Sequence, residues 1–194
     1  MLILSDIARI SVGHSFRGKL PERKGSTTYA VQLKDVSQAG VNWQSCIETE
    51  ITGKAAPKFL EPNDILFIAR GNNNFAVLVD EVATQQKTVA SPHFYLIKVD
   101  TKKVEPEFLT WILNQQHSQR YFQRESEGSL AKSIRRNVLE KTVIVLPSIE
   151  KQQQIVRLVT TISKEQDTLQ KLIDNGNQAM TAIANQLFNE YSKG

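Results

Sequence analysis

The stretch Val143-Ile144-Val145-Leu146-Pro147-Ser148-Ile149-Glu150-Lys151-Gln152-Gln153-Gln154-Ile155-Val156 decides the fold. Its first half is a β-branched apolar run suited to a strand. Pro147 ends that run, and Ser148 is a good N-cap for a helix that follows at once. The chain therefore changes kind at this point. Residues 1–147 are expected to form one globular unit and residues 148–194 a long helix.

Downstream, Ser148 to Tyr191 contains no proline and only one glycine. Apolar residues recur at Ile155, Val159, Ile162, Leu169, Ile173, Met180, Ile183 and Leu187, an alternating four-and-three spacing interrupted at Gln166 and at Gly176. At 1.5 Å per residue such a helix is roughly 60 Å long, whereas a domain of this size is only about 30 Å across. A seam of that period calls for a partner helix, because alone it leaves an apolar stripe in water. Asn175-Gly176-Asn177 is the weak point: a kink, or the turn of a hairpin folding back within the chain.

Upstream, the pattern is of short strands separated by turns. Tyr29-Ala30-Val31-Gln32-Leu33 sets Tyr29, Val31 and Leu33 on one face. Ile65–Ile68 follows the turn Pro62-Asn63-Asp64, and Phe75–Val79 follows the polar cluster Gly71–Asn74, so these two runs read as a hairpin. Phe94–Val99 and Thr142–Leu146 are further strands. Glu105-Pro106-Glu107 opens a helix, with proline in the first turn and carboxylates facing the dipole, that runs to about Phe122. The fold class is α+β: a mixed α/β domain followed by a long C-terminal coiled-coil helix.

Composition narrows the function. The 194 residues are 40% apolar and 23% charged, as in soluble globular chains. The single cysteine, Cys46, excludes a disulfide framework and reads as an apolar filler; His14, His93 and His117 lack metal-ligand spacing, so no metal is expected. No apolar run reaches the roughly 18 residues of a membrane span, and Asp6 and Arg9 break the opening apolar stretch, so neither a membrane segment nor a signal peptide is expected. A cytoplasmic location is expected. The net charge of +4 belongs to residues 1–147, with 19 Lys+Arg against 15 Asp+Glu; residues 148–194 hold 5 of each. The basic excess is compatible with nucleic acid without requiring it.

Catalytic patterns do not assemble. A phosphate-binding G-x-x-x-x-G-K-[ST] loop, a G-x-S-x-G elbow and an H-E-x-x-H pair are all missing. Ser91-Pro92-His93-Phe94 resembles an amino-methyltransferase tetrad superficially. His93 replaces its second proline and no glycine-rich cofactor turn precedes it, so it reads as a strand entry. The pairs Glu48 and Glu50, and Asp80 and Glu81, have no basic or imidazole partner nearby and read as solvated surface. A non-catalytic chain without a cofactor is expected.

Polar and basic side chains gather instead in three predicted loops. The first holds Arg17, Lys19, Arg23 and Lys24 among Gly18, Gly25 and hydroxyl residues 26–28. The second is Arg70-Gly71-Asn72-Asn73-Asn74 at the hairpin tip. The third, before the last strand, holds Ser129, Lys132, Ser133, Arg135, Arg136 and Asn137. Arginine and asparagine can pair bidentately with guanine and adenine edges, while lysines and hydroxyls suit phosphates. These twelve are the candidate DNA contacts: Arg17, Lys19, Arg23, Lys24, Arg70, Asn72, Asn73, Asn74, Lys132, Ser133, Arg135 and Arg136.

The order of motifs resembles the specificity subunits of Type I restriction-modification systems, in a half-length form. Leu4-Ser5-Asp6-Ile7 followed by Gly13 looks like that family's opening. Phe59-Leu60-Glu61-Pro62-Asn63-Asp64-Ile65-Leu66-Phe67-Ile68-Ala69-Arg70-Gly71 is similar to its Gly/Asn-Asp-Ile-Leu strand ending in Arg-Gly. Residues 143–156 resemble its junction Ile-x-Leu-Pro-Pro-Leu-x-Glu-Gln-x-x-Ile-Val, departing at Ser148 and at Lys151-Gln152. The resemblance implies a target recognition domain over residues 1–147 and a spacer helix over 148–194. It further implies a non-catalytic subunit that reads double-stranded DNA and guides a methyltransferase subunit, which uses S-adenosylmethionine, and through it a restriction subunit. Two copies paired antiparallel through the seam would form a homodimer and read an inverted repeat with an unread gap. The competing expectation is a protein-interaction adaptor dimerised by the helix, with the basic loops merely solvated. A stand-alone methyltransferase is disfavoured by the missing cofactor turn.

Overall fold

The computed structural model describes residues 1–71, 73–128 and 132–191, with Thr84 and Lys132 described in their backbone. Ile65-Leu66-Phe67-Ile68 is buried at every residue because it lies between two cores. Ile65 and Phe67 join one cluster and Leu66 and Ile68 the other, so alternation along the strand feeds both faces. A strand covered on both sides reads as an unbroken apolar run.

In chain order the elements begin with β1 (Leu2–Ile3), α1 (Leu4–Ile7), β2 (Ala8–Val12), β3 (Thr28–Val31), β4 (Val36–Ser37), β5 (Gly40–Val41) and β6 (Ile47–Glu48). The buried run is β7 (Ile65–Ile68), followed by β8 (Arg70–Gly71), β9 (Ala76–Leu78), β10 (Lys87–Ala90) and β11 (Phe94–Val99). Then come α2 (Pro106–Asn114), α3 (Gln116–Glu125), β12 (Lys132–Ser133), α4 (Arg136–Glu140), β13 (Val143–Ile144) and α5 (Ile149–Tyr191). An antiparallel sheet has the order β2-β11-β7-β9, and a second has the order β10-β3-β6, with β10 and β3 parallel.

The first core lies where the larger sheet meets the helices: Phe67 packs edge-on against Phe122 of α3, 4.9 Å between ring centres, with Leu109, Leu113, Leu139 and Ile144 in the same cluster. The second core holds Val31, Cys46, Ala90, Phe94 and Leu96 where the two sheets face each other. Burial pushes the Cys46 thiol up to about 12, consistent with an inert filler. Gly13 lies where the sheets meet: its N–H donates to Phe94 O of β11, His14 N donates to Ala90 O of β10, and a Cβ on Gly13 would sit 2.1 Å from Ser91 O. Only glycine allows that approach.

Local departures from the sequence expectations have identifiable causes. β7 and β9 pair antiparallel as a hairpin, but the helix expected to run to Phe122 breaks at Gln115, which is extended. The freed carbonyls of its last turn are taken by side chains: Gln115 Nε2 donates to Trp111 O, Ser118 Oγ to Ile112 O and Gln119 Nε2 to Leu113 O. Asn114 meanwhile bonds both backbone groups of Ala76, at 2.8 Å each, tying α2 to β9. The strand expected over Thr142–Leu146 shrinks to Val143–Ile144, because its partner β1 offers only Leu2 and Ile3. Leu33 leaves β3 for a 3-10 turn yet still packs on the second core.

The chain divides into two compact units, Met1–Gln153 and Gln154–Gly194. The division falls beyond Pro147 because Gln152, fully buried, belongs to the first unit. Its Oε1 accepts from Glu105 N, and its Nε2 donates to Lys103 O and Pro147 O. Ser148 Oγ accepts from Lys151 N as the helix opens. Hydrogen bonds from its own backbone N–H and from Ser148 lower the Glu150 carboxyl from its ordinary value. In the second unit α5 runs without interruption through Asn175-Gly176-Asn177, which removes the hairpin alternative. Among the described residues no helix is long and apolar enough to cross a membrane.

Candidate nucleic-acid interface

Two of the three predicted loops meet through backbone pairing. β8 leaves the β7–β9 hairpin at Ala69 and pairs antiparallel with β12, setting Arg70 opposite Ser133 and Gly71 opposite Lys132. Ile134 N donates to Ala69 O, while Ala69 N and Arg70 N both donate to His93 O. Tyr95 lies beside this ribbon and donates its hydroxyl to Ile134 O. Burial raises its phenol above the ordinary value, against the pull of the Arg70 and Arg136 guanidiniums. Arg70 thus has a backbone held from two sides and a side chain that is exposed, with no carboxylate partner among the described residues.

The first loop reaches the same face. A depression of about 590 Å³ is lined by Phe16, Gly18, Gln32, Lys34 and Ser91 together with Leu33 and His93. A second, of about 560 Å³, is lined by Ile68, Arg70, Gly71 and Asn73, again with Leu33 and His93. Sharing Leu33 and His93, the two form one concave tract from loop 15–20 to the hairpin tip. Gly18 turns that loop with φ +80°. The loop is anchored where His14 Nε2 meets Thr52 O at 2.8 Å and Arg17 N donates to Thr52 Oγ1.

The candidate residues differ in how free they are. Arg17, Lys19, Lys24, Arg70 and Asn73 are exposed, and among the described residues the four cations have no ion-pair partner. Arg23 pairs with Glu50 at 2.5 Å, Arg135 with Glu127 at 2.9 Å and Arg136 with Glu140 at 2.7 Å, all more than half exposed on the arginine side. Exposed pairs of this kind are worth about 0–1 kcal/mol, so a phosphate can replace the carboxylate at little cost. Asn74 is different: it is 7% exposed and its amide donates to Ile68 O, so it serves the hairpin and is not available to a base. Asn72 and Ser129 lie outside the described residues, and Lys132 is placed by its backbone in β12.

Gln32, Lys34 and His93 were not among the residues expected to face a ligand. In the sequence His93 stands out as the odd member of Ser91-Pro92-His93-Phe94, and nothing in that tetrapeptide indicates that it lies between two loops distant in sequence. Among the described residues no group of three or more His, Cys, Asp or Glu side chains has the arrangement to hold a metal ion.

Comparison with known proteins adds to this geometry. The family model described as Type I restriction modification DNA specificity domain matches residues 3–175. The Type I restriction enzyme StySPI specificity subunit of Salmonella potsdam is 26% identical over 107 residues, 53% of this chain and 22% of that protein. The S subunit of a Type I restriction-modification system from M. genitalium superposes over 89% of this chain and 41% of its own, with a TM-score of 0.57 at 13% identity. The HsdS subunit from Thermoanaerobacter tengcongensis does so over 88% and 38%, with a TM-score of 0.60 at 18% identity. The chain therefore spans about a fifth of the curated relative's length and about two fifths of each of these solved chains. The structural likeness establishes the shared mixed α/β fold.

Proposed function

Because the chain belongs to the family of Type I restriction-modification DNA specificity domains, we propose that its first unit reads the bases of a double-stranded DNA site. In this reading it is a non-catalytic, cytoplasmic subunit that brings a DNA methyltransferase subunit, and through it a restriction subunit, to that site. The supporting observation is the concave tract along which the 15–20 loop, the Arg70 tip and the β12 ribbon come together. A base reader needs rigid backbone under mobile donors, and Arg70 has that combination. Arg70 and Asn73 are assigned to base edges, and Ser133, Arg17, Lys19 and Lys24 to phosphates and their flanks. Arg23, Arg135 and Arg136 exchange their carboxylates for phosphate on binding, with Lys132 assigned to the same flank.

The second unit supplies symmetry. The exposed apolar positions of α5 are assigned to a second copy of this chain, giving a homodimer joined by an antiparallel coiled coil. A twofold assembly reads an inverted repeat with an unread gap, which is a bipartite site.

The test is selection from random duplexes by the purified chain with its methyltransferase subunit. One inverted motif with constant spacing is expected, with binding that falls steeply with salt. If no motif is enriched, base reading is wrong. DNA binding that is insensitive to salt would favour a protein-interaction adaptor.

A further inference from the structure

The seam of α5 reads the same from either end about Lys171. Leu169 and Ile173 lie two residues either side of it, Ile162 and Met180 nine, Val159 and Ile183 twelve, and Ile155 and Leu187 sixteen. The two interruptions obey the same rule, since Gln166 and Gly176 each lie five residues away. Resting on the twofold reading above, we infer that two α5 helices pair antiparallel in a single register, with the axis beside Lys171 and Gln166 of each copy lying over Gly176 of the other.

A heptad seam alone does not choose a register. Reversed on itself, it matches at every shift of seven residues. The interruptions make the choice. In the register centred on Lys171, the long polar side chain and the position with no side chain share a layer, twice. Gly176 carries no side chain, so a layer that holds it leaves room for the long side chain of Gln166. One shift in either direction places Gln166 against Leu169 or Ile183, burying an amide without a partner. The same shift sets Gly176 opposite Val159 or Ile173 and leaves a void. Parallel pairing stacks Gln166 on Gln166 and Gly176 on Gly176, giving a crowded layer and an empty one.

Charge and area agree with a second copy as the occupant. The flanking positions are Leu158, Glu165, Leu172, Ala179 and Gln186 on one side and Val156, Ser163, Gln170, Asn177 and Ala184 on the other. Glu165 is the one charge among them, and it faces Ala179 of the other helix, so no like charges meet. The larger apolar side chains of the seam and its flanks, from Leu158 to Leu187, have 43–70% of their surface exposed. Covering them on two helices buries on the order of 1,200 Å², within the range of stable specific interfaces.

Cysteine pairing tests the register in the full chain, whose own Cys46 is buried. Ile162→Cys is mixed in turn with Met180→Cys, Ile173→Cys and Leu187→Cys under mild oxidation; covalent linkage is read under denaturing, non-reducing conditions, and the mass of the native chain by light scattering. The expected result is a disulfide-linked dimer with Met180→Cys alone of the three, and none from Ile162→Cys by itself. A link within Ile162→Cys means parallel helices, and a link to Ile173→Cys or Leu187→Cys means a shifted register; either overturns the inference and leaves the two-copy reading standing. A chain that stays monomeric at micromolar concentration, or that pairs only with a different polypeptide, overturns both.

Discussion

Arg70 and Ser133 face each other in the β8–β12 register although Arg70 lies near the middle of the first unit's sequence and Ser133 towards its end. That pairing gives the Arg70 guanidinium a fixed base, since the backbone around it is bonded to His93 O on one side and Ile134 N on the other. Removing the side chain should therefore change recognition without changing the fold. Arg70→Ala is expected to lose about 1–3 kcal/mol on the selected duplex and much less on a scrambled one. Competition binding with the two duplexes measures it. An equal loss on both would reassign Arg70 to a phosphate.

Glu127 holds Arg135 at 2.9 Å on the exposed surface and also bridges by backbone to Ser133. Glu127→Gln keeps the backbone contacts and frees the guanidinium. Non-specific duplex affinity is then expected to rise, because the carboxylate no longer competes with phosphate for the guanidinium, while the slope of log affinity against log salt changes little because the parent already makes that phosphate contact. An unchanged affinity would place Arg135 away from DNA.

Gln152 is buried on the first turns of α5 and serves three backbone groups, Glu105 N, Lys103 O and Pro147 O. Gln152→Leu keeps the bulk but strands all three. The expected cost is about 2–4 kcal/mol, a fall in melting temperature of about 5–10 °C for a chain of this length. Calorimetry on the intact chain decides the matter, and a melting temperature equal to the parent's would mean water replaces the amide.

Asp64 caps the turn before β7, accepting from Glu61 N at 2.9 Å with Lys98 Nζ 3.4 Å away. Burial holds its carboxyl above the ordinary value, outweighing the Glu61 N–H and Lys98, which pull the other way. As pH rises through about 4, the unfolded chain releases this proton first. The stability Asp64 contributes is therefore full below that pH and shrinks as pH climbs through the folded-state value. Asp64→Asn does not titrate, so the parent's stability relative to this variant should be greatest near about pH 3 and decline towards pH 6. Chemical denaturation at several pH values measures it. A difference that grows with pH would mean that the Lys98 ion pair dominates.

The sequence by itself determined whatever depends on short range. Pro147-Ser148 marks where strand gives way to helix, four-and-three spacing marks the seam of α5, and the unbroken run Ile65–Ile68 marks a strand buried on both faces. These are properties of neighbouring residues, set by backbone stereochemistry and apolar periodicity, and they also carry the resemblance to the family. Tertiary structure alone decided which polar residues share a surface. Asn73 and Asn74 are adjacent and chemically identical, yet Asn73 is exposed while the Asn74 amide is taken by Ile68 O. Gln152 and Gln153 differ in the same way, one buried and one exposed. Arg70 meets Ser133 only through the register of strands distant in the chain, and Leu33 and His93 line the same depressions only because the chain packs that way. Such juxtapositions come from long-range pairing and packing, which local sequence does not record.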